Sequence, residues 1–354
     1  MKVKPFSVNK IRIPTDFSEF GQQKEEVVDL AGCENCRTSE KALAALRKCS
    51  PNMLIEHWQS QDRLIKERLG DIHNVDPSNV YLTSGAMGAI GYSFDVFVDQ
   101  NTRVGLLRPD FSGFQYYADK ARANIGWLES LNFPYNHMTR DVIDFIRDED
   151  IGFVITSNPS AVTGTLRDTI DIEGIVKSNP ETMHIIDEAD AIYPDLSSAH
   201  LTRRYDNVMH LGSFSKFYGL SGLRIGYLIT PESYSDHFDR MVNPIEVTSA
   251  AILAAQMAIS DKEYQRDTQD RVERNLSKME MVCKDSPYKI VPGSKCFASY
   301  LDADLSLEDP YETLGRFGIK IAKGSTFGLS RGGRVNLANE TKVNKLVKIL
   351  QEMK

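Results

Sequence analysis

The chain has 354 residues, 41% of them hydrophobic and 26% charged, an ordinary composition for a soluble globular protein able to bury a large core. A formal net charge of −7 speaks against nucleic acid or an anionic membrane as partner, and no apolar run approaches membrane-spanning length. Five cysteines fit reduced thiols, not a disulfide framework. No apolar signal region follows Met1-Lys2-Val3-Lys4-Pro5-Phe6, so a cytoplasmic address is expected.

Residues 1–30 read as polar and irregular, ending in the short strand Val27-Val28-Asp29-Leu30. Cys33-Glu34-Asn35-Cys36 follows. A Cys-x-x-Cys invites a redox or zinc reading, but no second such pair and no well-spaced histidines complete a site, so no metal is expected. Ala42, Leu43 and Leu46 share one face of a helix predicted over residues 39–49, and a polar-faced helix is predicted over 61–69. Val80-Tyr81-Leu82-Thr83 reads as a strand running into Ser84-Gly85-Ala86-Met87-Gly88. Strand, small-residue turn and helix start make an anion site, because the first helical N–H groups have no carbonyl partner and small side chains let an anion approach. A tight turn with no ligand carries the same pattern.

Further strands are predicted at Val104-Gly105-Leu106-Leu107, at residues 151–156, at Met183-His184-Ile185-Ile186, at Val208-Met209-His210-Leu211 and at Tyr227-Leu228-Ile229-Thr230. An Ala-, Ile- and Leu-rich helical stretch over 247–259 precedes a long charged helix over 261–284, with Val272, Leu276 and Met279 at helical spacing. Strands at Phe297-Ala298-Ser299-Tyr300-Leu301, Gly318-Ile319-Lys320-Ile321-Ala322 and Arg334-Val335-Asn336-Leu337, then a helix over 341–353, fit a small α+β unit.

Chemistry concentrates in Ser213-Phe214-Ser215-Lys216-Phe217-Tyr218-Gly219-Leu220-Ser221-Gly222-Leu223-Arg224-Ile225-Gly226-Tyr227. Lys216 stands just past a strand end. A lysine there becomes a reactive amine, able to form a Schiff base, once burial or a nearby cation lowers its pKa. Ser213, Ser215 and Arg224 suit a dianionic phosphate, arginine offering a planar fork of donors. Asn158, Asp187 and Lys216 lie 29 residues apart in turn. That interval fits two successive strand–helix units and places all three along one sheet edge, where open α/β sheets bind ligands.

The lysine string resembles that of fold-type I pyridoxal-phosphate enzymes, nearest in look to the histidinol-phosphate aminotransferase group with threonine-phosphate decarboxylase beside it. Those read Ser/Thr-x-Ser-Lys-x-Phe/Tyr-Gly/Ala-x-x-Gly-Leu-Arg-x-Gly-Tyr. Other segments follow the same family in order. Glu34-Asn35 resembles part of its substrate-gating Asn-Glu-Asn-Pro, which implies a substrate contact for Asn35. The turn at Gly85, Ala86 and Met87 matches its cofactor-phosphate turn. Pro109-Asp110-Phe111 resembles Pro-x-aromatic, which puts Phe111 against the pyridine ring. Asn158-Pro159-Ser160-Ala161-Val162-Thr163-Gly164-Thr165 resembles Asn-Pro-x-Asn-Pro-Thr-Gly-Thr, with Asn158 matching and Ala161 replacing the asparagine that donates to the phenolic oxygen. Asp187-Glu188-Ala189-Asp190 resembles Asp-Glu-Ala-Tyr/Phe: Asp187 would keep the pyridine nitrogen protonated, and Asp190 replaces a second phenolic-oxygen donor. Arg334, with Arg331 as nearby competitor, takes the place of the arginine that clamps the substrate carboxylate. The family's Tyr-Pro-Asp segment has no match; His57-Trp58 stands near its place.

The resemblance runs from about residue 25 to the end of the chain. It implies the aspartate-aminotransferase-like fold type I, an α/β architecture with a mostly parallel sheet in a large domain over 45–245 and a small α+β domain formed by 1–44 and 246–354. It further implies a homodimer with shared active sites. The function expected is a pyridoxal 5'-phosphate-dependent aminotransferase moving an amino group between an amino acid or similar amine and a 2-oxo acid. Lys216 and Asp187 would be catalytic; Gly85, Ala86, Met87, Phe111, Asn158, Asp187, Asp190, Ser213, Ser215, Lys216 and Arg224 would bind cofactor; Arg334 and Asn35 would bind substrate. A decarboxylase, lyase or oxidase of the same fold would share these motifs, and a non-catalytic relative is a third reading.

Overall fold

The structure, a computed structural model, describes residues 27–51, 62–284 and 286–353. His57-Trp58 lies outside them. In chain order the strands are β1 (Val28–Asp29), β2 (Val80–Thr83), β3 (Arg103–Arg108), β4 (Asn124–Glu129), β5 (Phe153–Ser157), β6 (Met183–Asp187), β7 (Val208–Ser213), β8 (Gly226–Ile229), β9 (Tyr288–Ile290), β10 (Ala298–Ala303), β11 (Ile319–Lys320), β12 (Ala322–Lys323) and β13 (Gly333–Asn336). Seven of them form one sheet, in the order β2-β8-β7-β6-β5-β3-β4. From β7 to β4 every pairing is parallel, while β8 runs antiparallel to both β7 and β2.

Both faces of this sheet are covered, as a parallel sheet requires. Phe153, Ile155, Ile185, Met209 and Leu228 pack with Ile90 and Phe94 of the helix Gly85–Phe97. Their neighbours Val154 and Ile186 point the other way, toward Val142 and Phe145 of Thr139–Asp148 and Ile172 and Val176 of Thr169–Ser178. This is the period-two alternation of a strand buried on two sides. The smaller sheet, β12-β13-β10-β9, is wholly antiparallel. The apolar stripes of Lys262–Lys284 (Val272, Leu276, Met279) and Glu340–Glu352 (Val343, Leu346, Leu350) join one core with its Leu301 and Val335. β1 pairs in parallel with β11, so the two ends of the described chain meet.

Local departures from the sequence expectations have physical causes. The second helix runs Asp62–His73, past the expected end, and stops where Asn74 takes a left-handed φ of 53°. The stretch expected as one strand over 318–322 divides at Ile321 into β11 and β12, which serve different sheets. β4 was not anticipated: it is an edge strand with a mixed burial pattern and lacks an apolar run. Among the described residues no helix is long and apolar enough to cross a membrane.

The antiparallel strand β8 has a positional consequence. Gly226, its first residue, is registered with Thr83 on one side and Ser213 on the other. A Cβ there would lie 2.5 Å from the carbonyl carbon of Gly85 and 2.7 Å from the amide nitrogen of Ala86. Hydrogen is thus the side chain that lets the end of β7 and the start of Gly85–Phe97 close on each other. We predict that Gly226→Ala lowers stability by about 1–3 kcal/mol by overpacking. Gly174→Ala, where a Cβ would meet nothing within 4 Å inside the helix Thr169–Ser178, should gain about 0.5–1 kcal/mol. Urea unfolding of the two variants checks both signs.

Candidate active site

Parallel pairing of β5, β6 and β7 sets their carboxyl ends side by side: Ser157 is registered with Asp187, and Asp187 with Leu211. The segments leaving these ends carry Asn158, Asp190 and Lys216. Lys216 follows β7 directly, and its Nζ forms an ion pair with Asp190. The Asp190 carboxylate is almost wholly buried, and its second oxygen, Oδ1, has no hydrogen-bond partner. Burial alone would lower the lysine. The Asp190 charge in contact with it holds its amine above the ordinary lysine value instead. This corrects the expectation that burial would depress it.

Asp187 ends β6 and is buried. One carboxylate oxygen accepts the Ala189 N–H at 2.8 Å. Burial lifts its pKa to about 7, with Lys216 pulling down and Asp190 and Asp110 pushing up. Its neighbour Glu188 is engaged in a separate network: His210 Nδ1 lies 3.2 Å from Oε1, Ser197 Oγ donates at 2.5 Å and the Ser198 N–H at 3.0 Å. Burial would raise Glu188, but these partners bring it down to about 2.

A cradle forms where β7, β8 and the helix Gly85–Phe97 meet. Ser84 makes no side-chain cap at the start of that helix, and its N–H goes to Glu246 at 2.9 Å. Gly85, Ala86 and Met87 are the first helical residues, whose N–H groups have no carbonyl ahead of them. Arg224 donates to Ser215 Oγ at 3.3 Å and to the Ser221 carbonyl at 3.1 Å. It lies so close to Gly85 that a Cβ there would collide with its guanidinium. Ser213 Oγ accepts the Ser215 N–H at 3.1 Å. Residues 85–87, Ser213, Ser215 and Arg224, expected separately, thus share one place.

Phe111 follows β3 and meets Phe114 edge-on at 5.4 Å. Asp110 before it is a buried acid that the sequence pattern treats as a spacer. It accepts the N–H groups of Phe111 at 2.7 Å and Ser157 at 3.1 Å, the Thr156 hydroxyl at 3.2 Å and the Ser157 hydroxyl. Burial still leaves it raised, to about 6. Ser157 Oγ in turn accepts the Ala161 N–H at 2.8 Å.

Arg334, on β13, reaches across to this turn. Nη1 donates to the Ala161 carbonyl at 3.0 Å and Nη2 to the Ala31 carbonyl at 3.1 Å, while Nε is buried without a partner. Its guanidinium lies 4.9 Å from the Phe327 ring. Arg331, the competitor, is held elsewhere, 3.1 Å from Asp302 and by the carbonyls of Asp304 and Leu307. Two expected contacts are engaged as local braces. Asn158 donates to the Arg167 carbonyl at 3.1 Å and accepts its N–H at 2.8 Å. Asn35 donates to Tyr264 at 2.8 Å and accepts from Arg271 at 2.9 Å. Cys33, which sequence reasoning considered only for redox or zinc, is buried beside Cys296 and Ala298 and senses the charges of Arg334, Lys216 and Asp190.

The raised Asp187 has a stability consequence. A carboxyl whose folded pKa exceeds its unfolded value favours the folded state fully only below the unfolded value. As pH rises from about 3.8 to about 7 the unfolded chain releases the proton more readily, and stability falls. In the protein without ligand, Asp187→Asn should therefore raise Tm by several degrees at pH 8 and hardly at all at pH 4. A melting-temperature series for both proteins measures the difference.

Comparisons with known proteins agree with this geometry. The family described as "Aminotransferase class I and II" matches residues 29–350. A histidinol-phosphate aminotransferase of Haloferax volcanii is 28% identical over 342 residues, covering 95% of this chain and 92% of its own. One from Campylobacter jejuni is 28% identical over 324 residues, 86% of each chain. The crystal structure of histidinol-phosphate aminotransferase from Sinorhizobium meliloti in complex with pyridoxal-5'-phosphate superposes with a TM-score of 0.81 at 18% identity, covering 92% of this chain and 90% of that one. A Thermus thermophilus aspartate aminotransferase mutant superposes at 0.80 and 16%, covering 96% and 100%. These two share the fold type I architecture. By its family match over most of its length the chain belongs to the class I and II aminotransferases, and is a pyridoxal-phosphate-dependent transferase of amino groups.

Proposed function

We propose that pyridoxal phosphate would be held by Lys216, with Gly85, Ala86, Met87, Ser213, Ser215 and Arg224 receiving its phosphate and Phe111 lying against its ring. The observation that carries this reading is the convergence of a phosphate cradle, a buried lysine and a buried, proton-hungry carboxylate at neighbouring strand ends. The residues fit the group on their own chemistry. Gly85 brings the helix start against the Arg224 guanidinium, the first N–H groups of that helix have no carbonyl ahead of them, and Asp187, raised to about 7 by burial, would be completed by a ring N–H⁺. Bound there, the cofactor supplies an electron sink for the substrate's α-carbon.

The chain's own residues do the rest. Asp187 holds the ring nitrogen in its protonated form. The Nζ of Lys216 would be the base that takes the proton from the substrate's α-carbon and the acid that gives it back. Arg334 offers its unpartnered Nε–H, beside donors already oriented by Ala161 and Ala31, to the anionic group of the donor amine, a carboxylate or, as the relatives' name suggests, a phosphate. The acceptor is a 2-oxo acid. We further infer a cytoplasmic homodimer with shared sites, and a small domain built from residues 1–44 and 246–354, for which the β1–β11 pairing is the supporting contact.

Two experiments test the reading. Borohydride reduction of the holoenzyme followed by peptide mapping should label Lys216; a label on Lys120 or Lys323 overturns the assignment. Arg334→Ala should weaken carboxylate or phosphate donors far more than plain amines, by about 2–5 kcal/mol in kcat/KM for a buried charge-assisted contact. Equal losses for both donor types would move anion recognition elsewhere.

A further inference from the structure

The Lys216–Asp190 pair is more than a feature of the free protein. Four other groups face the lysine nitrogen closely enough to shift it or be shifted by it, and they come from every side. Cys33, on the segment after β1, is a thiol pushed up by burial and therefore neutral. Cys296, on the turn before β10, is likewise pushed up to about 12. Arg334 on β13 has the lysine's own sign and works against its charge. Asp187 at the end of β6 is directed to another cation in the proposed arrangement. That leaves Asp190 as the one acidic side chain in direct contact with Nζ among the described residues. No uncharged donor replaces it at Ala161, whose side chain is a methyl and whose carbonyl is engaged by Arg334.

Resting on the reading that Lys216 carries the cofactor, we propose that Asp190 is the permanent counter-ion of the Lys216 nitrogen. It stays paired with that nitrogen after the amine has joined the cofactor carbonyl with loss of water, and holds it protonated through the neutral range. The incoming donor must then arrive as the free amine. Its two N–H protons and the single proton on the lysine nitrogen suffice for exchange: the new nitrogen keeps one proton, and Lys216 departs as a neutral amine with two. A donor ammonium carries one proton too many and sheds it to solvent before entry. An enzyme with an unprotonated linkage has no such restriction, because the linkage itself takes the extra proton. Asp190 is thus a catalytic residue that selects the protonation state of the substrate.

The test is an absorbance titration of the holoenzyme from pH 5 to 10 for wild type, Asp190→Asn and Asp190→Glu, with borohydride mapping of Lys216 alongside. Removing an opposite charge in contact should lower the midpoint for loss of the nitrogen's proton by about one to two pH units in Asp190→Asn, and Asp190→Glu should restore much of it. If Asp190→Asn does not retain cofactor, Asp190→Ser supplies the same uncharged comparison. A label on Lys216 with coincident midpoints overturns the counter-ion role and leaves the cofactor assignment standing. A label absent from Lys216 overturns both.

Discussion

Everything at this site depends on the register of three parallel strands. Neighbouring strands in a sheet lie about 4.8 Å apart, and β5 and β6 end level while β7 runs on from Leu211 to Ser213 beside them. Whatever leaves those ends is thrown together whether or not it is mutually attractive. Here the residues thrown together are charged. Asp110, Asp187, Glu188 and Asp190 are all buried at or beside the carboxyl edge, and each must be neutralised by a specific partner or stay protonated.

The four acids solve that problem differently. Glu188 is matched by histidine and hydroxyls and is firmly ionised. Asp110 is surrounded by neutral donors, which lessen the burial penalty without cancelling it. Asp190 has a lysine. Asp187 has one backbone N–H and the distant pull of Lys216, and is left most in need of a cation. Above neutral pH the free protein carries the penalty of that buried charge. A cation that paired with it would stabilise the fold to the same extent.

Lys216, Asp187, Arg334 and the turn at residues 85–87 can be singled out in the sequence because each stands in a short string of small, hydroxyl or charged residues beside an apolar strand run. The strands delivering them were readable as apolar runs, since both faces of the sheet are covered. β4 was not, because an edge strand need not be apolar throughout. Asn35 and Asn158 were located but their bonds were not foreseen. The partner of Asn35, Arg271, lies 236 residues away, and Asn158 turns back on Arg167 through a loop whose path no local pattern specifies. The sequence pattern presents Asp190 only as a lost donor toward the ring. Its pairing with Lys216 depends on the relative level of two strand ends, which is a property of the sheet and not of either segment.

The brace on Arg334 sets an order of events during synthesis. Its guanidinium is held between Ala161 in the large sheet's edge and Ala31 near the chain's start, the latter 303 residues away. At about 5–20 residues per second a ribosome needs roughly 15–60 s to cover that distance. For that interval the segment around Ala31 has neither β11 nor Arg334 to rest on. The seven-stranded sheet, complete at Ile229, has its strands well before then. The cradle around Gly85 and Arg224 can assemble on the nascent chain, while the Arg334 brace waits for the last hundred or so residues of the small sheet to emerge.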